Sequence, residues 1–377
     1  MKFIISSSAL LKQLAALNGV ILSNNSVMPI LDNFLFEIKD NTLTITASDL
    51  QTSMTAEMKA DAEQGGSVAI PAKMLADTLR NLPEQPVTFR IDPNTYVTEI
   101  ISDNGHYKLS GENAADFPRV PELKNAEVVE IPAEAISSAI AYTLFAASTD
   151  EMKPAMNGVY VNLRSSEATF VATDSHRLVR YRRTDVSSDK DISIIIPRKA
   201  LTLLKNTLPS DNSVVRLSFN KSNAFINYGN IKMVCRLIDE RFPDYEFVIP
   251  VNNDKTLEID RTDFLGSLRR IAIYANKSTN QVRLKVNTSG DMLVSAEDVD
   301  FSNEADEKLR CDFASEADME IGFNAKFLIE SLNNLHSSKV TFKLSEPNRA
   351  GLLMPSEVDP DEDILMLIMP VMLNNYY

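Results

Sequence analysis

Asp174, Ser175 and His176 stand side by side in "TDSHRLVRYRR" (173–183), and four arginines follow within the same run. A hydroxyl nucleophile, an imidazole base and a carboxylate that orients the base are the parts of acyl-transfer chemistry. A hydrolase built on Asp174, Ser175 and His176 is therefore one reading of the chain. The spacing argues against it. A working triad is gathered from separated positions, because neighbours on a strand point to opposite faces. An aspartate opening a turn after a strand accounts for Asp174 without chemistry, and leaves Ser-His-Arg-Leu unexplained.

Other reactive patterns are missing. The sequence has no glycine-rich phosphate loop and no glycine-flanked nucleophile. His106, His176 and His336 are too dispersed for a metal set. Cys235 and Cys311 lack ligand spacing and read as buried free thiols in a reducing compartment. The acidic run Glu357–Ile364 reads as a solvated loop. No catalytic residue, metal or cofactor is expected.

The elements that carry the Asp-Ser-His run occur three times. "IPAKMLADTLRNLP" (70–83) returns as "IPRKALTLLKNTLP" (196–209) and, more weakly, as "FNAKFLIESLNNLH" (323–336). Lys73, Lys199 and Lys326 superpose at separations of 126 and 127 residues, and Leu75, Leu201 and Leu328 keep the same step. A strand running into a small-acidic turn also recurs, aligning Asp49, Asp174 and Glu297. Amphipathic helices open each repeat around Ser8–Leu22, Pro132–Ala147 and Arg261–Ala275. Pro71, Pro132 and Pro197 are placed at helix starts, where a missing N–H costs nothing. Alternating runs such as "TLTITA" and "VRLKV" suit half-buried antiparallel strands. The reading is α+β, in three repeats over 1–122, 127–252 and 254–377, with linkers near Phe117–Val129 and Phe242–Lys255.

The 377 residues are 44% hydrophobic and 24% charged, as a folded soluble chain requires. Lys+Arg number 38 against 52 Asp+Glu, a net charge of -14 that disfavours non-specific nucleic-acid binding. At the N-terminus Leu10, Leu11, Leu14, Leu17 and Ile21 keep helical periodicity, Lys12 and Gln13 interrupt any signal-like apolar core, and no run approaches the roughly 20 apolar residues of a membrane span. A cytoplasmic protein is predicted. Against the overall acidity, Lys12, Lys73, Arg80, Arg198, Lys199, Lys205 and Lys326 put cations on equivalent helices, with Arg269 and Arg270 on another. Dispersed cations without interleaved aromatics suit tracking of a phosphate backbone and not base reading.

Taken together, "MKFIISSSALLKQL", "AADFP" (114–118), "ATDSHRL" (172–178), "RFPDY" (241–245), "IGFN" (321–324) and a final "MP" resemble the bacterial DNA polymerase III beta subunit, the replicative sliding clamp family, along the whole chain. The resemblance implies three clamp-fold domains, with helices lining a central hole and antiparallel sheets outside. It implies a head-to-tail homodimeric ring around double-stranded DNA, encircled without regard to sequence. The implied partners are the DNA polymerase III catalytic subunit, the clamp loader, and other polymerases and repair proteins that bring short peptides. For the peptide pocket it implies Met156, Thr173, Ser175, His176, Arg177, Leu178, Pro243, Phe247, Val248, Asn324, Phe327, Leu367, Ile368, Met369, Pro370 and Val371. For the ring interface it implies Tyr107 and Leu109 against Arg270, Ile273 and Tyr274. Three departures stand out: Ser175 where many relatives carry glycine, Met372-Leu373 followed by the extra Asn374–Tyr377, and a Ser23–Pro29 loop without arginine. A monomeric repeat protein that binds peptides but not DNA is the remaining alternative.

Overall fold

The computed structural model describes residues 1–21, 28–123, 128–189 and 191–373. Most of the Ser23–Pro29 loop and the whole Asn374–Tyr377 tail lie outside the described residues. The described residues include six α-helices: α1 (Ser7–Ile21), α2 (Ala72–Arg80), α3 (Ala133–Thr143), α4 (Arg198–Thr207), α5 (Arg261–Ile271) and α6 (Ala325–Asn333). None of them is long and apolar enough to cross a membrane.

The chain divides into two compact units, Met1–Ser137 with Lys199–Leu237, and Ser138–Arg198 with Ile238–Tyr377. In the first unit an eight-stranded antiparallel sheet runs from Val128–Pro132 through Val214–Phe219, Asn223–Tyr228, Ile231–Arg236, Thr52–Lys59, Thr42–Ser48 and Asn33–Lys39 to Gly66–Pro71. Strands of the first and second repeats meet in it, with Ile231 opposite Ala56 and Cys235 opposite Thr52. A five-stranded sheet ends on His106–Ser110. The second unit is built alike. Its nine-stranded sheet joins the second and third repeats, pairing Arg177–Arg183 with Glu362–Ile368. Its five-stranded sheet has Asn303–Arg310 at one end and the short strand Pro370–Val371 at the other.

Sequence periodicity explains these elements. Lys339–Leu344 buries Val340, Phe342 and Leu344 on alternate positions. Leu10, Leu14, Leu17 and Val20 form the buried stripe of α1. Asp260 caps α5 by accepting from the Asp263 N–H, and Asn324 caps α6 by accepting from Lys326. Phe3 stacks on Phe89 at 4.8 Å, and Phe323 lies 5.2 Å from Phe342.

Several expectations shift. Pro71, Pro132 and Pro197 each end a strand and precede the helix, instead of opening it; Pro71 has the extended ψ of 114° that a chain leaving a sheet requires. The second opening helix stops at Thr143 and tightens into a 3-10 turn over Leu144–Ala146, and α5 stops at Ile271. The Phe242–Lys255 linker is anchored, because Phe242 and Tyr245 are buried in the second unit's core. Cys235 is buried, and burial pushes its thiol up to about 12. Cys311 is only half-buried, and burial with the nearby Asp312 and Asp291 carries it to about 11. Both stay protonated at neutral pH.

Candidate partner-binding site

The turn between Ala168–Thr173 and Arg177–Arg183 is held by its own polar side chains. Asp174 Oδ1 accepts from the N–H of His176 at 2.9 Å and of Arg177 at 3.0 Å. Thr173 donates its hydroxyl to the Arg177 carbonyl at 2.7 Å and accepts from the Ser175 N–H. Asp174 Oδ2 takes the Arg177 Nε–H at 3.0 Å. The Asp174 carboxylate is thus spent on the turn. Ser175 Oγ bonds to Lys153 and Met156, and the His176 ring stacks on Phe327 at 6.1 Å. None of these three side chains activates another, so the arrangement lacks the hydrogen-bonded chain that acyl transfer needs.

Strand alternation then divides the proposed wall in two. Arg177 and Leu178 face opposite sides of the sheet. On one side Leu178 and Leu367, paired across the ladder, join Val171, Phe242, Tyr245, Leu352 and Leu365, with Ala155, Tyr160 and Ile249 packed against them. Tyr160 stacks on Phe242 at 4.9 Å. This is an apolar floor. Exposed Ser175, His176, Pro243, Phe247, Val248 and Met369 are the less buried of the expected wall residues, with Phe247 90% exposed. Met156, Asn324, Phe327, Pro370 and Val371 are half-buried, whereas Thr173 and Ile368 are buried in the sheet.

On the other side Arg177, 8% exposed, commits every arm of its guanidinium. Nε goes to Asp174, Nη1 to Glu330, and Nη2 to the Phe145 carbonyl at 2.8 Å. Its plane lies 5.2 Å from the Phe145 ring and 4.8 Å from the Phe327 ring. Arg177 is a strut linking the turn, the Phe145 segment and α6. Phe145, Lys153, Glu330, Phe242 and Tyr245 were not among the expected site residues; only the apolar side chains set inside polar "RFPDY" gave a local signal.

The C-terminal wall depends on a glycine. Met369 N–H donates to the His176 carbonyl at 2.9 Å, and Gly322 pairs with Val371. A Cβ on Gly322 would lie 2.6 Å from the Val371 carbonyl oxygen and 2.7 Å from Leu373 Cδ2. Gly322→Val is expected to displace the last strand, lower peptide affinity about tenfold and leave the chain folded, which calorimetric titration and circular dichroism check together.

The basic residues are placed less uniformly than their recurrence suggested. Lys12, Lys73, Lys205 and Lys326 are exposed and form no ion pair among the described residues. Lys199 pairs with the buried Asp49 carboxylate, Arg80 pairs with Asp77, and Arg198 donates to the Ala147 carbonyl. Of the residues expected at the ring interface, Leu109 is buried in its own sheet and Tyr107 is half-buried. Arg270 makes a two-armed pair with Glu307 at 2.7 Å, while Ile273 and Tyr274 are exposed.

Models of the DNA polymerase III beta subunit match in order along the chain: its N-terminal domain over residues 1–121, its central domain over 130–244 and its C-terminal domain over 246–372. The beta sliding clamp of Proteus mirabilis is 30% identical over 349 residues, covering 92% of this chain and 94% of that protein. That of Synechocystis is 28% identical over 396 residues, with 100% of both covered. The crystal structure of a DnaN sliding clamp (DNA polymerase III subunit beta) from Pseudomonas aeruginosa, bound to griselimycin, has a TM-score of 0.92 at 26% identity and covers 99% of this chain and 100% of that one. With three clamp domains matched in sequence order and the same fold over its full length, the chain belongs to the DNA polymerase III beta subunit family, the sliding clamps.

Proposed function

We propose that two copies of this chain close head to tail into a ring that encircles double-stranded DNA and tethers the replicative polymerase to it in the cytoplasm. The observation that carries the reading is the way strands join repeats. In each repeat one strand follows the acidic turn and another lies close to the repeat's end. Thr52–Lys59 of the first repeat pairs with Ile231–Arg236 of the second, and Arg177–Arg183 of the second pairs with Glu362–Ile368 of the third. The remaining members of the series, Asn303–Arg310 and His106–Ser110, each end a five-stranded sheet. Pairing them between copies repeats the same junction and closes the assembly, because a heterologous contact whose rotation closes makes a ring. It also covers two edges that would otherwise template aggregation. Tyr107, Leu109, Arg270, Ile273 and Tyr274 border these edges in the proposed interface.

Lys12, Lys73, Lys205 and Lys326 would meet phosphates without reading bases, joined by Arg80, Arg198 and Lys199 where their present partners yield. A net charge of -14 makes electrostatic affinity alone weak. Topology must then hold the ring on DNA. Once loaded by an ATP-driven clamp loader, the protein is expected to stay on nicked circular DNA in high salt and to be lost when the circle is cut. Equal loss from both substrates would assign binding to ordinary phosphate contacts, which salt weakens steeply.

The apolar floor under Ser175, His176 and Met369 is the proposed dock for short peptides from the polymerase III catalytic subunit, the clamp loader, other polymerases and repair proteins. Flexible Met156 and Met369 suit one site that accepts several sequences. The same site would take griselimycin, which the Pseudomonas aeruginosa relative binds. The family is non-enzymatic, and the spent side chains at Asp174, Ser175 and His176 agree with that.

A further inference from the structure

Ser175 combines a backbone that the turn imposes, since Leu50 after Asp49 has a φ of 72° in the matching turn of the first repeat, with a hydroxyl that the turn's own hydrogen bonds do not use. Its φ is 80°, in the left-handed region that a residue with a Cβ enters only at a cost. Its hydroxyl also works in both directions: Lys153 Nζ donates to Oγ at 3.1 Å, and Oγ donates to Met156 Sδ at 3.3 Å. Lys153 and Met156 belong to one segment, closed by Met156 N–H to the Lys153 carbonyl and by Ser148 N–H to the Met156 carbonyl. That segment packs Ala155 against the apolar floor. The left-handed backbone sets the direction of the Ser175 side chain, and the hydroxyl turns that direction into a tie on the neighbouring segment.

We propose that Ser175 is a latch that holds Met156 and Lys153 over the mouth of the peptide pocket, so that it sets how readily this clamp admits ligands. The proposal rests on the peptide-pocket reading above. A ligand that needs Met156 swung aside binds only the unlatched fraction, and its apparent affinity falls by that fraction. Both contacts of the hydroxyl are exposed and individually weak, which suits a tie that opens often.

Two variants separate the hydroxyl from the backbone. Ser175→Ala keeps the Cβ and its strained φ but cannot bridge, whereas Ser175→Gly loses both. With griselimycin as the probe, both variants are expected to bind about fivefold tighter than the parent, through faster association at unchanged dissociation. A gain in Ser175→Gly alone would assign the effect to relief of backbone strain and overturn the latch. Weaker binding by Ser175→Ala would make the hydroxyl a ligand contact and overturn it equally. A methyl-labelled Met156 resonance, recorded without any ligand, gives an independent reading: ordered in the parent and averaged in both variants. If Met156 is equally mobile in the parent there is no latch, whatever binds. If Met156 responds as expected but no form binds griselimycin, the latch stands and the pocket reading falls.

Discussion

Ile273→Asp is expected to give single chains at concentrations where the parent measures twice the chain mass. Ile273 is 66% exposed on the turn after α5, beside Tyr274. Its backbone is already satisfied, with its N–H donating to the Arg270 carbonyl and its carbonyl accepting from Lys277 Nζ. Replacing the side chain therefore disturbs nothing inside the chain, and stability should change by no more than about 0.5 kcal/mol, as for other surface sites. In the ring the same position is expected to pack beside the Asn303–Arg310 edge, which the Arg270–Glu307 pair ties to α5. A carboxylate buried there without a partner costs about 3–4 kcal/mol, or a 100- to 1,000-fold rise in the dissociation constant. Sedimentation at micromolar concentration reads the mass, and thermal melting shows that the fold is intact. Retention on nicked circles should vanish with the ring, while griselimycin binding at the pocket persists. A variant that kept both mass and retention would place the closing contact elsewhere.

How much of this was visible in the sequence depends on the range of the interaction. Lys73, Lys199 and Lys326 keep step because each is the second residue of a helix whose buried leucines recur, so the repeats and their helices were legible locally. Helix ends were less so. Nothing local distinguishes Thr143, where α3 gives way to a tighter turn, from the apolar residues that continue the pattern to Ala147. The pairing of Thr52–Lys59 with Ile231–Arg236 was not legible at all, because an alternating strand looks the same whichever repeat it joins. The same limit applies at the pocket. Alternation alone sends Arg177 and Leu178 to opposite faces, yet family likeness gathers them into one wall. Which acids and rings Arg177 would meet depended on Glu330 and Phe145, 153 and 32 residues away. Recurrence at one helical position likewise marked Lys199 as a phosphate contact, although its ammonium is paired with Asp49.

Arg177 also supports the second large effect. Arg177→Lys is expected to lower griselimycin affinity at least tenfold while leaving the ring intact. Three acceptors surround the guanidinium at fixed angles: the Asp174 carboxylate, the Glu330 carboxylate and the Phe145 carbonyl. Two rings lie within stacking range of its plane. A planar fork reaches all of these together, and a lysine ammonium on a flexible stem cannot. Charged hydrogen bonds contribute about 1.5–3 kcal/mol each when shielded. Glu330 is half-exposed and its pair is screened, so the Asp174 and Phe145 bonds dominate and the net loss is about 2–4 kcal/mol. Asp174 keeps its two backbone donors, so the turn itself survives. What is lost is the coupling of turn to α6: Phe327 loses the flat guanidinium beside it, and the His176 ring stacked on Phe327 loses that backing. The pocket rim loosens while the Leu178–Leu367 floor stays. Titration with griselimycin reads the affinity and sedimentation the ring. Glu330→Gln, which keeps an acceptor for Nη1 but no charge, should show a smaller loss than Arg177→Lys. Parent-like binding by Arg177→Lys would mean that the fork geometry does not hold the rim, and that a single positive charge beside Asp174 is enough.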